Sequence, residues 1–264
     1  MRPLKSVISR IQAKQFTDFS KTRYAKKLRK LKDIHKGERC FVIGNGPSLA
    51  AEDLNTLAKN NEITFGMNRI YKIFDKTDWR PTYYACEDVN IFHDSIDEIN
   101  ALSSKIKFIP INVKWFNGIK IKDAYYFKAN YNRELDFPYS FSTEIDKQLD
   151  SRGTVTFTCM CIAAYMGFKE IYLLGVDHNY RVTINELGET VVDENSKDYF
   201  CEGYDDDIKD QVIHDMRNNT RCYNLAKQFA EKNGIKIYNA TRGGKLEIFE
   251  RMDFDKLIGD NRLG

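Results

Sequence analysis

Six short apolar runs spaced along the chain constrain its fold more than any other feature. They lie at 39–43, 62–68, 82–86, 107–111, 170–175 and 236–239. The first, Arg39-Cys40-Phe41-Val42-Ile43, is apolar without alternation, as expected for a strand covered on both faces. Between several runs lie stretches with helical spacing, notably Thr154–Met166 and Met216–Asn233. Apolar strands alternating with helices predict an α/β, Rossmann-like, mainly parallel sheet with helices on both faces. The longest apolar run, Val155 to Phe168, contains Thr156 and Thr158 and is too short to span a bilayer. Residues 179–211 are polar and irregular, and a long insertion after a strand reads as a lid. The expected organisation is a basic amphipathic arm over 1–36 and a single transferase-type domain over 37–264, with the insertion at about 179–211.

Charge is spread unevenly. The net charge is +3, yet residues 1–37 carry 12 Lys/Arg against Asp18 and Asp33, which leaves −7 on the remainder. Val7, Ile8 and Ile11, then Leu28, Leu31 and Ile34, recur at helical spacing among these cations. Such a segment either lies on an anionic membrane surface or packs on its own domain or a neighbouring subunit. No aromatic-interleaved platform or known motif supports nucleic-acid binding, so none is expected. No apolar signal segment follows Arg2 and Lys5. The six cysteines form no C-x-x-C pair and no zinc spacing, and read as reduced thiols. The expected location is the cytoplasm, peripheral to the inner face of the cytoplasmic membrane.

In open α/β sheets, ligands bind beyond the carboxyl ends of the strands. That rule selects Gly44–Ser48, Asn68, Glu87-Asp88, Asp177-His178 and Thr241–Gly244. Gly44-Asn45-Gly46-Pro47-Ser48-Leu49 follows the first strand. Its glycines permit close approach of a phosphate, Pro47 suits a tight turn, and Ser48 can cap the next helix and donate to an anion. The Walker pattern is absent, and Leu49 stands where a dinucleotide fingerprint has its third glycine.

This turn resembles the first turn of the bacterial sialyltransferases that use CMP-sialic acid. It also resembles the 6-hydroxymethylpterin diphosphokinase-like domain, which occurs in flagellin glycosylation factors too. The resemblance continues at Met67-Asn68-Arg69-Ile70-Tyr71, is strongest from Arg152 to Asp177, and includes Gly234 to Leu246. It covers roughly residues 38 to 255. It implies that Gly44, Asn45, Gly46, Pro47 and Ser48 hold a nucleotide phosphate and ribose. Asn68, Arg152, Thr154 and Thr156 would complete the nucleotide site, with Val155-Thr156 departing from the Ser-Gly of those enzymes. Tyr180 and Tyr199 are the nearest tyrosines for stabilising a leaving phosphate.

Glycosyl transfer needs a base, and histidine titrates near neutrality. The chain has His35, His93, His178 and His214. His214 has the better position in the resemblance, although ungapped register puts Arg217 there; His178 has the better position at a strand end. Glu87, Asp88, Asp177, Thr241, Arg242 and Gly243 are candidate substrate contacts. Arg242 suits an anion, and Glu87-Asp88 suits a sugar or merely a helix cap. Asp205-Asp206-Asp207 reads as a metal-binding run or a solvated loop, and no metal residue is assigned. Tyr125, Tyr126, Tyr131 and Tyr139 read as a sugar platform or as core.

The expectation is a glycosyltransferase that moves a sugar, such as a CMP-linked nonulosonic acid, to a cell-surface glycan or lipid-linked acceptor, as a homo-oligomer and without a required cofactor. The alternatives are an ATP-dependent hydroxymethylpterin-type diphosphokinase, which needs Mg²⁺, and a non-catalytic nucleotide-binding module.

Overall fold

The sheet is built outward from β1 (Arg39–Ile43), whose last four residues are buried. β2 (Thr64–Met67), β3 (Tyr83–Ala85), β4 (Ile106–Pro110) and β5 (Ala124–Phe127) follow on one side. On the other side lie β8 (Glu170–Leu174), β12 (Lys236–Asn239) and β13 (Glu250–Arg251). The order is β13-β12-β8-β1-β2-β3-β4-β5, with every pairing parallel. The chain reverses direction across the sheet between β1 and β8, which is where such folds open a crevice. This is the Rossmann-like α/β arrangement expected. It comes from a computed structural model that describes residues 11–131, 139–151, 153–185, 187–204 and 213–259.

Around the sheet lie helices α1 (Arg23–Arg29), α2 (Ala51–Lys59), α3 (Val89–Asp94), α4 (Ile96–Ala101), α5 (Ile111–Phe116), α6 (Val155–Met166), α7 (Met216–Asn233) and α8 (Phe254–Gly259). α6 starts where Thr154 accepts a hydrogen bond from the Thr156 amide, and it is buried almost all round. It ends at Gly167, whose φ of +95° and approach to the Lys36 backbone exclude a side chain. α7 buries Cys222, Tyr223, Ala226 and Ala230 along one stripe.

The six expected strands are present, trimmed by up to two residues at their ends. β5 was not expected, because Ala-Tyr-Tyr-Phe is too short to show a period, and it forms only by pairing with β4. Two small sheets are also new. One pairs β6 (Ala129–Asn130) with β7 (Leu149–Asp150). The other joins β9 (Val182–Ile184), β10 (Thr190–Val192) and β11 (His214–Asp215) and gives the polar insertion a backbone.

The described part of the basic N-terminal segment is integral to the core. Phe19, Ala25, Leu28 and Leu31 are buried in the same cluster as β1 and α6. Tyr24 packs edge-on to Trp115 and Tyr126. His35 stacks on Phe168, and its Nε2 lies 2.6 Å from the Tyr83 hydroxyl. The buried side chains between Phe19 and Leu31 thus pack on the domain that follows, while Ile11, Lys14, Lys21 and Arg23 stay exposed. No described helix is long and apolar enough to cross a membrane.

Leu28 sits in this core at 0% exposure. Leu28→Ala is expected to cost about 2–5 kcal/mol in urea unfolding. The exposed neighbour Lys26→Ala should stay within about 0.5 kcal/mol.

Candidate functional site

A cavity of about 1140 Å³ opens at the carboxyl ends of β1, β2, β3 and β8. Residues far apart in sequence meet there. Gly44, Asn45 and Gly46 follow β1, Asn68 follows β2, and Glu87 and Asp88 follow β3. Asp177, His178 and Tyr180 follow β8, while Thr154 and Thr156 come from the start of α6. Tyr199 and His214 close the wall from the insertion and β11. Arg152 and Asp205–Asp207 lie outside the described residues, although Ser151 and Gly153 line the cavity.

The glycine turn, expected to hold a nucleotide phosphate, meets a group of the protein itself at its Ser48 end. Ser48 donates through its hydroxyl to Asp177 Oδ2 at 2.7 Å and through its amide at 3.4 Å. A methyl added at Gly46 would lie 1.9 Å from that same oxygen. The anion held by this turn is therefore the protein's own carboxylate. Pro47 and Ser48 stand off the cavity lining, and Ser48 does not cap α2, which begins at Ala51 without a side-chain cap. Burial raises the Asp177 pKa above its ordinary value, and the Ser48 hydrogen bonds pull it partly back.

Thr241, Arg242 and Gly243 are likewise removed from the ligand side. The Thr241 hydroxyl accepts from the Val176 amide at 3.1 Å, and the Gly243 carbonyl accepts from Arg251 Nη1 at 2.7 Å. Arg242 donates to Asp53 at 2.9 Å through Nε and Nη2, and to Asp255 at 2.6 and 2.9 Å. These groups buttress the β8 end from behind. An arginine whose donors are taken by two carboxylates does not serve as the expected anion contact.

Several residues that line the cavity carry a buried polar atom without a partner. Asn45 Nδ2 donates to the Met67 carbonyl at 3.0 Å and to the Tyr204 hydroxyl at 2.8 Å, while its Oδ1 is buried without a partner. Asn68 adopts φ +48°, its carbonyl accepts from the Tyr84 hydroxyl at 2.7 Å, and its Oδ1 is also unpartnered. Such buried acceptors gain from a ligand O–H or N–H.

Two histidines complete the wall. His178, at φ +52° and 8% exposed, has Nε2 3.2 Å from Thr220 Oγ1 and Nδ1 unpartnered. His214 stacks on Tyr180 at 3.7 Å between ring centres, with Nε2 unpartnered. Burial lowers both imidazoles to about 4, with Asp198 opposing the shift at His214. Both are neutral near pH 7.

Tyr204 and Arg69 were not foreseen as site residues. The Tyr204 ring stacks on Tyr199 at 3.9 Å, and its hydroxyl accepts from the Arg69 amide at 3.1 Å. Arg69, 0% exposed, donates to the Tyr204 carbonyl at 3.0 Å and to Asp94 at 3.3 Å. The Phe200 amide adds a bond to the Asn45 carbonyl at 3.1 Å. Together they fasten the insertion over the β1 and β2 ends. The only signal in the sequence was the aromatic run Tyr199-Phe200 with Tyr204 inside a polar stretch. Among the four tyrosines considered as a platform, Tyr131 lines the cavity. Tyr126 is bonded to Ile121, Tyr125 lies under Lys27, and Tyr139 lies under Arg221. Asp88 both lines the cavity and caps α3 through the Asn90 amide at 2.8 Å.

A family model described as 6-hydroxymethylpterin diphosphokinase MptE-like matches residues 14–183. The chain belongs to the MptE-like family. No curated protein matches it in sequence. Among solved structures, the MAf glycosyltransferase from Magnetospirillum magneticum AMB-1 is 15% identical at TM-score 0.52, over 94% of this chain and 41% of that one. This chain thus spans less than half of that protein's length. The sialyltransferase CstII from Campylobacter jejuni, in complex with cytidine-5'-monophosphate, is 17% identical at TM-score 0.49, over 82% of this chain and 85% of that one. A CST-II structure with trisaccharide acceptor and CMP is 16% identical at TM-score 0.47, over 81% and 85%. The likeness is one of fold.

The MptE-like match takes in the β1, β2, β3 and β8 ends and stops before Tyr199, Tyr204 and His214. In this MptE-like chain, Gly46→Ala should destabilise by about 1–3 kcal/mol through overpacking. Adding Asp177→Ala should recover part of that loss in a double-mutant cycle by urea unfolding.

The two histidines give a second expectation. Between pH 6.5 and about 4 the unfolded chain binds protons at His178 and His214 that the folded chain does not. Stability is therefore full above that window and falls as pH drops through it, with the upward-shifted Asp177 offsetting part of the loss. NMR titration should find both imidazoles neutral at pH 5.5.

Proposed function

We propose that this MptE-like protein is a glycosyltransferase that moves a sugar from a nucleotide-activated donor to a glycan or lipid-linked acceptor. The observation that carries the reading is His214: a neutral imidazole of the cavity lining, stacked on Tyr180, with a buried Nε2 that has no partner within the protein. In a direct displacement the acceptor oxygen bonds to the anomeric carbon and passes its proton to Nε2. The bond from that carbon to the nucleotide phosphate breaks, and the nucleotide leaves with the electron pair. A donor phosphate nearby raises the imidazole pKa from about 4 towards the range in which a base works best. The free oxygens of Asn45 and Asn68 suit ribose or base donors of hydrogen bonds, and the hydroxyls of Tyr180, Tyr199 and Thr154 suit the departing phosphate. The motif resemblance favours a CMP-linked nonulosonic acid as donor.

The family description favours a second reading, an ATP-dependent diphosphokinase. Glu87, Asp88 and Asp94 on the wall are the oxygen ligands a Mg²⁺–nucleotide would seek.

A thermal-shift series with CMP, UDP, GDP and ATP, each with and without Mg²⁺, separates the readings, since ligand binding raises apparent stability. Stabilisation by CMP or another nucleotide without metal is expected; stabilisation by ATP–Mg²⁺ alone would sink the glycosyltransferase reading. With a donor in hand, His214→Ala should lower kcat by about 10²–10⁴ while leaving the melting curve near that of the parent.

A further inference from the structure

The β5 edge of the sheet carries a feature that the cavity does not use. Phe116, at the end of α5, is 59% exposed, and Ile11 is 52% exposed. Phe116 is held edge-on to Phe16 with ring centres 5.1 Å apart, and Phe16 in turn meets Trp115 at 6.4 Å. The Lys128 ammonium lies 4.7 Å above the Phe16 ring. Exposed Lys14, Lys21, Arg23, Lys120 and Lys122 belong to the same segments. Residues 11–36 hold nine Lys/Arg against two Asp, and residues 114–128 hold four Lys against Asp123.

We propose that this edge docks on an anionic lipid bilayer, with Phe116 and Ile11 entering the interface and the lysines meeting the headgroups. Exposed aromatic and aliphatic side chains within a cationic surface fit that solvent boundary better than water. Charge complementarity selects an anionic surface, and the aliphatic Ile11 gains nothing from the stacked bases of a nucleic acid. The rest of the chain, at −7, is repelled by the same surface and orients the molecule. α5 follows β4 and Lys128 follows β5, so Phe16, Phe116 and Lys128 lie towards the end of the sheet at which the cavity opens, while Lys120 and Lys122 precede β5 and extend the charge along the edge. The Asn112 side chain ties α5 to the Ala129 carbonyl at 3.0 Å on that side. Resting on the glycosyltransferase reading, the docked edge would present the cavity to a lipid-linked acceptor; the docking itself does not need that reading.

The test is cosedimentation of the full chain with phosphatidylcholine vesicles, with and without about 30% phosphatidylglycerol, in the absence of nucleotide. Binding only to the anionic vesicles, weakened by salt, is expected. Phe116→Ser should lower the partition coefficient about tenfold, and Lys14→Glu with Lys120→Glu comparably, with unchanged melting curves. Equal capture by neutral vesicles overturns the proposal, as does binding that Phe116→Ser leaves intact. If deleting residues 1–10 abolishes binding while Phe116→Ser is silent, the contact lies in that segment and the proposal fails. Vesicle binding without any nucleotide-induced thermal shift would leave the docking standing and remove the glycosyltransferase reading.

Discussion

The Asp177 carboxylate sits on the Gly46–Ser48 turn, across the crevice between β1 and β8, and the shape of the cavity follows from that contact. It needs a glycine at 46, since any Cβ there would collide with the carboxylate. It needs the Gly46 amide on the Gly175 carbonyl at 2.9 Å, which joins the two strand ends. On the far side, Thr241 and the Lys245 amide, 2.7 Å from the Asp177 carbonyl, hold the β8 end in place. With the crevice shut at this point, the open space shifts towards Asn45, Asn68 and the insertion. The glycine turn is then a structural joint at the cavity, lined there by Gly44, Asn45 and Gly46 while Pro47 and Ser48 stand off it.

A second constraint is the burial of Arg69. A guanidinium at 0% exposure is stable only with its partners in place, because an unpaired buried charge is strongly destabilising. Two of those partners, the Tyr204 carbonyl and Asp94, belong to the insertion and to the cavity wall. The insertion is thus fixed to the β2 end, and it brings Tyr199 within 6.5 Å of the His214 ring. The Asn45 side and the histidine side of the cavity share one hydrogen-bonded and stacked network. A change at Arg69 would be felt at both.

Much of the site was legible because parallel sheets obey simple rules. Once the apolar runs were read as strands, their carboxyl ends selected Gly44, Asn45, Asn68, Glu87, Asp88, Asp177 and His178, all of which line one cavity. Arg242 misled, because a guanidinium beside glycines suggests an anion. Its actual anions, Asp53 and Asp255, lie 189 and 13 residues away, and only packing of α2 and α8 brings them near. Ser48 misled for a related reason: its carboxylate partner is 129 residues distant, reached through the pairing of β1 with β8. Tyr204 had no periodicity to mark it.

The amino-acid sequence by itself determined the six apolar strands, the two long helices that end at Met166 and Asn233, and the residues that stand at those strand ends. These follow from local apolar patterning and capping, which act over a few residues. The tertiary structure decided which of those residues are spent on the protein and which are left for a ligand. That choice depends on distances between groups far apart in the chain. It packed Phe19, Ala25, Leu28 and Leu31 of the basic segment into the core, gave the glycine turn to Asp177, and brought Asn45, Asn68, His178 and His214 to the wall of one cavity.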